Sequence, residues 1–297
     1  MIEYEQIKKL PEEYIIKKIN EFLAEDMPDG DATTNAIFSN TLNNPQPTTH
    51  NSITAFLQAE EDLIFAGEQT LEYFFDGNSQ IDLKFKDGDK VKNGEIIAVI
   101  KGRTDIILSH ERVMLNLLQR LCGIATLTNK YAEIAKPYNV KILDTRKTTP
   151  GLRLFEKYAV TVGGGFNHRL DLSSGILIKD NHIKAAGGIK QAIEMLRNNN
   201  PKNLKIEIEV ENKEEINEAL EIGVDGFLLD NMSPSTISKM VEYIRDNAGE
   251  DVFIEASGGI NLSNLGEYVK TGVNAISSGA LTHSVKGSNI HLEFSRF

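Results

Sequence analysis

The residues best equipped for chemistry stand at the ends of short apolar runs. One run closes in Asp144-Thr145-Arg146-Lys147-Thr148-Thr149 and another in Lys179-Asp180-Asn181-His182. A third carries Glu207, Glu209 and Glu211 in alternation. The next three end in Asp230-Asn231, Ser257-Gly258-Gly259 and Ser278-Gly279. Between the first two lies Gly163-Gly164-Gly165-Phe166-Asn167-His168-Arg169. Arg146, Lys147, His168, Arg169 and Lys179 make a cationic set: arginine forks match carboxylates, and lysine offers phosphate a point charge. Glu209 and Asp230 are hard oxygen donors of the kind that hold magnesium, which also bridges substrate phosphates. The Ser-Gly pairs come late in the order, where glycine lets backbone N–H groups approach a phosphate. The chemistry implied is that of a transferase acting on a phosphosugar, with a carboxylated partner substrate.

The elements that must position these residues repeat one unit from Val140 onward. The apolar runs are VKILDT (140–145), GILIKD (175–180), LKIEIEVE (204–211), GFLLDN (226–231), VFIEASGG (252–259) and AISSGA (275–280). Their brevity and their β-branched residues predict strands, and consecutive apolar positions predict burial on both faces of a parallel sheet. Helical patterns separate them: GGIKQAIEMLRNNN, KEEINEALEIG, STISKMVEYIRDN behind a Ser233-Pro234 start, and NLSNLGEYVKTG. Alternation of this kind predicts βαβ units, in an α/β barrel or an open doubly wound sheet. In either, ligands bind at the carboxyl ends of the strands.

Residues 1–109 read as a smaller α+β domain with a mostly antiparallel sheet, from NSITAFLQAEEDLIFAG and QIDLKFKDGDKVKNGEIIAVIKG with their DG and NG turns. The polar segment 39–51 predicts a loop or insertion. A long helix over 110–135 leads into a second domain, 110–287, and SNIHLEF within 288–297 is expected to return as a strand to the first.

The 297 residues carry a formal charge of −11, which argues against a nucleic-acid partner held through phosphates. An anionic ligand must therefore be held by a local cluster of cations. The single cysteine, Cys122, lies in an apolar helical segment and reads as a buried free thiol. No apolar stretch has membrane-spanning length, and the acidic N-terminus does not resemble a secretory signal; the expectation is a cytoplasmic protein.

Each feature alone has an ordinary explanation. An Arg-Lys pair after a strand is commonly a solvated loop, alternating glutamates are commonly surface charge, and ASGG or SSGA could be plain turns. His182 and His283 singly read as structural or exposed, and Gly163 to Gly165 lack the spacing of a dinucleotide fingerprint. What solvation does not explain is six runs placing polar groups at the same end.

At these residues the chain resembles a known family. TRKTTPGLRLFEKYAVTVGGGFNHRLDLSSGILIKDNHI resembles quinolinate phosphoribosyltransferase, as do HERVMLNLLQRLCGIA, IEVEN, LLDNMSP, EASGGIN and ISSGALTHS, with EDMPDGDATT and DGDKVKNGE upstream. The resemblance covers nearly the whole chain. It implies an incomplete, TIM-like α/β barrel with an N-terminal α+β sandwich domain. The implied reaction is phosphoribosyl transfer from phosphoribosyl pyrophosphate to quinolinate with decarboxylation, giving nicotinate mononucleotide, pyrophosphate and carbon dioxide for NAD biosynthesis. It also implies Mg2+ and a homodimer with Arg112 reaching across the interface. By the same resemblance Arg146, His168 and Arg169 line the quinolinate pocket, Lys147 and Lys179 face the phosphates and the reacting centre, and Glu209 and Asp230 hold the metal. Ser257, Gly258 and Gly279 bind the 5-phosphate, and His283 approaches the pyrophosphate. The choice between Glu207 and Glu209 stays open, with Glu209 favoured. Ser278 departs from the family's usual apolar residue. The competing readings are a paralogue acting on another ring acid, and a non-catalytic phosphosugar-binding protein.

Overall fold

The computed structural model describes residues 2–42, 52–75, 77 and 79–295, without side chains at 39–42. The helices are α1 (Glu12–Asp26), α2 (Ala32–Leu42), α3 (Glu68–Leu71), α4 (Thr104–Ala135), α5 (Arg153–Val162), α6 (Asp180–Ala186), α7 (Ile189–Asn198), α8 (Lys213–Ile222), α9 (Pro234–Ala248), α10 (Leu265–Tyr268) and α11 (Ala280–His283). The strands are β1 (Ser52–Ala59), β2 (Leu63–Ile64), β3 (Gln80–Leu83), β4 (Lys90–Val91), β5 (Ile96–Arg103), β6 (Lys141–Leu143), β7 (Ile176–Ile178), β8 (Ile206–Val210), β9 (Gly226–Asp230), β10 (Phe253–Ser257), β11 (Ala275–Ser277) and β12 (Ile290–Phe294).

Two compact units are present, and both are discontinuous in sequence. One comprises Met1–Gln6, Thr128–Arg153 and Gly164–Ser284; the other comprises Ile7–Leu127, Leu154–Gly163 and Val285–Phe297. The 109/110 division expected from sequence falls inside α4, which begins at Thr104. Of the 39–51 segment, residues 39–42 end α2 and the rest lies outside the described residues.

The second unit holds an antiparallel sheet of order β12-β1-β5-β3 and the short pair β2-β4. β12 pairs with β1 from Ala55↔Phe294 to Ala59↔Ile290, so the C-terminal segment completes the sheet edge. Ala55, Leu57 and Ala59 alternate inward on β1, the period expected of a sheet with one buried face. Glu156 of α5 is buried there and accepts from the Arg120 Nη2 of α4 at 2.8 Å. Cys122 is buried, and desolvation pushes its thiol up to about 12.

The first unit is built on a parallel sheet of order β6-β11-β10-β9-β8-β7. All six strands match the runs expected from sequence. β6 and β7, adjacent in chain order, stand at opposite ends of that order, as in an α/β barrel left open at one seam. Phe166 adds an isolated parallel bridge to Leu143 beside β6. β9 and β10 are buried at their first four positions, which is why they read as near-continuous apolar runs. α9 starts as the sequence predicts: the Ser233 Oγ accepts from the Thr236 N–H at 3.2 Å, with Pro234 in the first turn. The helix expected over 261–272 is only the four-residue α10, because turns at Asn261–Asn264 and Tyr268–Thr271 take up its flanks.

The N-terminal segment belongs to this unit. Ile2 packs with Leu143, Phe253 and Ala275, and Tyr4 lies against the same cluster. Gly226 leaves room for it, since a Cβ there would stand 2.7 Å from the Ile2 Cδ1. Ile2→Ala should therefore lower stability by about 2–5 kcal/mol, the range for emptying a buried aliphatic site, as read from urea unfolding. An unchanged midpoint would mean that Ile2 contributes nothing to this core.

Candidate functional site at the barrel mouth

Two adjoining cavities lie at the carboxyl ends of the parallel strands. The first, of about 390 Å³, is lined by Arg146, His168 and Arg169 on one side and by Lys179, Glu209 and Asp230 on another, over a floor that includes Leu177, Leu228 and Glu255. The second, of about 370 Å³, is lined by Ser257, Gly258, Gly279 and His283. Thr145, Lys147, Asp230, Ser257 and Ser277 border both. Strand pairing sets this arrangement: Ser257 is in register with Asp230, Glu209 with Leu228, and Ser277 with Leu143. Arg112 is not among the lining residues; it is exposed on α4 in the other unit.

The cationic side is organised by Asp144, buried just past β6. Its Oδ2 accepts from the Asn167 Nδ2 at 2.6 Å and its Oδ1 from the His168 N–H at 2.9 Å. A buried carboxylate accepting such bonds fixes the loop that donates them. The loop thereby brings Arg169 beside Arg146. Burial, and next the Arg146 charge, lower the Arg169 pKa; guanidinium remains charged even so. The Arg169 Nη1 donates to the Gly175 carbonyl at 3.0 Å, while the buried Arg146 Nε has no partner among the described residues. Two adjacent guanidinium groups, one with an unmet buried donor, call for a carboxylate ligand.

Lys179 and Glu209 form a close ion pair across β7 and β8, and Glu209 is the more buried partner. Glu209 faces the cavity, whereas Glu207 lies one layer deeper, fully buried and bonded to the Tyr4 hydroxyl at 2.9 Å. The two positions thus separate into a cavity group and a floor group. His182 caps the start of α6 by accepting the Lys179 N–H at 3.0 Å, a structural task.

The second cavity is backbone-lined. Gly258 has φ +93, and a Cβ there would strike the Asn231 Oδ1 at 2.3 Å and its N at 2.6 Å, so only glycine permits this close packing of loops. At Gly279 a Cβ would meet the His283 ring at 2.8 Å and the Lys147 Cδ at 2.9 Å, so this glycine allows both side chains to converge. The Thr282 hydroxyl donates to the Lys147 carbonyl at 2.7 Å and holds that loop in place.

Glu255, Tyr4 and Gln6 escaped sequence reasoning, which places Asp144 at a strand end without a role. Glu255 alternates with Phe253 and Ser257 along β10, and an acid within so apolar a strand was the available signal. Nothing local marks Tyr4 or Gln6, whose partners lie more than 150 residues away. Burial raises the Glu255 pKa to about 7, with His168 opposing and Glu207 adding to the rise. A carboxyl raised on folding contributes stability below its ordinary pKa near 4.5, and that contribution is lost as pH rises through about 7. Glu255→Gln keeps the neutral shape. It should match the parent chain in urea at about pH 4 and exceed it at about pH 8. Equal stability of the two proteins at both values would show that Glu255 does not bear this penalty.

A parallel barrel with paired guanidinium groups, facing carboxylates and a Ser-Gly cradle is the site of an enzyme acting on two anionic substrates. Sequence comparison gives the family. The family model for the quinolinate phosphoribosyl transferase C-terminal domain matches residues 124–293, and that for the N-terminal domain matches residues 31–122. A probable nicotinate-nucleotide pyrophosphorylase [carboxylating] of Bacillus subtilis is 43% identical over 280 residues, covering 93% of this chain and 92% of its own. Quinolinate phosphoribosyltransferase [decarboxylating] 1b of Nicotiana tabacum is 40% identical over 256 residues, covering 80% and 73%. The solved nicotinate-nucleotide pyrophosphorylase of Francisella tularensis superposes with a TM-score of 0.88 at 37% identity, covering 99% of this chain and 100% of that one. The chain belongs to the quinolinate phosphoribosyltransferase family.

Asp144→Ala should leave the Asn167 amide and the His168 N–H without an acceptor, at a cost of about 1–3 kcal/mol for each group. It should also loosen the Arg169 loop. Calorimetry should show a lower melting temperature than the parent's; a variant as stable as the parent would remove Asp144 from this role.

Proposed function

We propose that the chain catalyses phosphoribosyl transfer from phosphoribosyl pyrophosphate to quinolinate with decarboxylation, yielding nicotinate mononucleotide, pyrophosphate and carbon dioxide. The observation that carries this reading is the pairing of Arg146 with Arg169 in a cavity continuous with the Ser257–Gly258–Gly279 cradle. The first pair suits a flat dicarboxylate and the second a terminal phosphate. The family relatives carry names for this activity.

In this reading Arg146 and Arg169 grip the ring carboxylates in a pocket that His168 lines, and turn the pyridine nitrogen toward C1 of the sugar. Orientation of this kind contributes roughly 7–11 kcal/mol in favourable cases. The nitrogen attacks C1 as pyrophosphate leaves through a transition state with oxocarbenium character. Lys147, Lys179 and His283 border the space where negative charge grows on the leaving group, and fixed cations there stabilise it. N-ribosylation leaves the ring cationic. The C2 carboxylate can then depart as carbon dioxide, because the electron pair left at C2 is stabilised by the adjacent positive nitrogen, and a proton replaces it. Leu177 and Leu228 in the cavity floor favour loss of a charged carboxylate by keeping water away.

Glu209 and Asp230 fit a magnesium ion: both are oxygen donors, they end neighbouring paired strands, and they line one cavity with Lys147. When bound there, the ion would neutralise diphosphate charge. Arg112, exposed on α4, is assigned to the site of a second copy in a homodimer, as the sequence resemblance implies.

The test is a magnesium-dependent assay with quinolinate and phosphoribosyl pyrophosphate, following carbon dioxide and pyrophosphate, with nicotinate in parallel. Equimolar release from quinolinate and none from nicotinate is expected; no turnover of quinolinate by folded protein would shift the reading to a paralogous ring acid. Arg169→Ala should weaken quinolinate binding by roughly 10- to 100-fold, the worth of a charge-assisted contact, and leave the phosphosugar largely unaffected. Equal loss for both ligands would remove Arg169 from the dicarboxylate pocket.

A further inference from the structure

His168 sits on a floor that the proposed chemistry does not use. Its Nε2 faces the Glu207 Oε2 and the Glu255 Oε2, each at 3.5 Å. The Tyr4 ring stacks on the imidazole at 4.5 Å between centroids, with planes 25° apart, and its hydroxyl donates to the Glu207 Oε2 at 2.9 Å. Two residues on, Gln6 grips the backbone of Asn167 from both sides. Its Oε1 accepts the Asn167 N–H at 2.8 Å, and its Nε2 donates to the Asn167 carbonyl at 3.1 Å and to the Tyr4 carbonyl at 2.9 Å. Tyr4 also fills the space above Gly175, where a Cβ would lie 2.7 Å from its ring and 3.3 Å from the Arg169 Cβ. Gly175 is in turn the acceptor for the Arg169 guanidinium.

His168, Glu207 and Glu255 bring three ligand-type atoms within 4.8 Å of one another, which raises the question of a buried cation. The ring's other nitrogen answers it. A histidine bound to metal through Nε2 donates its Nδ1 proton to an acceptor. Here Nδ1 instead accepts the Arg169 N–H at 2.8 Å, so the ring proton belongs on Nε2 and points at the two carboxylates. The two facing carboxylates, the stacked Tyr4 ring and the Arg169 N–H together set the tautomer and tilt of His168.

We propose that Tyr4 and Gln6 are positioning residues of the dicarboxylate pocket, orienting His168 and Arg169 from beneath the barrel mouth. The proposal deepens the reading of the site given above and rests on it for the identity of the ligand. Neither residue lines the cavity, so each acts through the residues that do. Geometry explains why a terminal segment takes this task. β6 and β7 do not pair, and the Phe166–Arg169 stretch between them has only one bridge of its own. Gln6 supplies the missing backbone partners, and Tyr4 fills the adjoining gap.

Three variants test it: Gln6→Ala, Tyr4→Phe and Tyr4→Leu. In steady-state assays of the full chain, Gln6→Ala and Tyr4→Leu should raise the KM for quinolinate by roughly 5- to 10-fold, the size expected of a lost hydrogen bond for Gln6 and of a lost ring stack for Tyr4. The KM for phosphoribosyl pyrophosphate should stay within about twofold. Tyr4→Phe, which keeps the stack, should fall nearer the parent. Nitrogen-15 NMR of the imidazole supplies a readout that needs no turnover: the parent should show the Nε2–H form of His168, and Tyr4→Leu should shift its signals. Lower melting temperatures with unchanged quinolinate KM and unmoved His168 signals would overturn the proposal and leave the segment a simple plug. If the parent itself fails to turn over quinolinate, the substrate reading fails, and the His168 signals alone decide the positioning role. Should Tyr4→Leu not fold, Gln6→Ala decides by the same two readouts.

Discussion

Asp144 is buried at the end of β6, and its two oxygens accept the Asn167 side-chain amide and the His168 backbone N–H. That arrangement brings the cations of one strand end against those of the following loop. Arg146 and Arg169 repel each other, and their proximity is unfavourable in an empty cavity. The fold tolerates it because anchored backbone, packed aromatic rings and a carbonyl acceptor hold the loop, and an anionic ligand between the two groups would relieve the repulsion. A chain with an overall charge of −11 can in this way present a strongly cationic pocket.

The layering of the barrel interior separates groups that look alike in sequence. Glu207 and Glu209 point to the same side of β8, yet one is a floor residue tied to Tyr4 and the other a cavity residue paired with Lys179. Glu255 occupies the floor layer and Ser257 the mouth, again two residues apart on one strand. A rise of roughly 3.3 Å per residue moves a side chain nearly 7 Å along the axis in two positions, enough to pass from buried support to ligand contact. Chemical type alone therefore does not assign a role; depth along the strand does.

The second cavity is shaped by backbone more than by side chains. Gly258 and Gly279 matter for the Cβ they lack, since each sits where another residue's atoms already come within 3 Å of that position. Sequence reading could nominate them because Ser-Gly pairs at late strand ends have a known physical use. It could not show that Gly279 makes room for Lys147 and His283 together.

The parallel barrel strands, most of the helices between them and the cluster of polar groups at one end were legible in the sequence. Short apolar runs buried on both faces, caps such as Ser233-Pro234 and the direction of a parallel sheet are local consequences of residue type. Arg146, Lys147, Lys179, Glu209 and Asp230 could be named for the same reason, since each lies at or near the end of a recognisable run, while His168 and Arg169 stood out in the segment between two of them. Tertiary structure alone decided the rest. It set the discontinuous division of the chain, the seam between β6 and β7, the shortness of α10, and the placement of Tyr4 and Gln6 beneath a loop more than 150 residues away. These depend on which surfaces meet when the sheet closes, and contacts between residues so far apart leave no periodicity for a sequence window to detect.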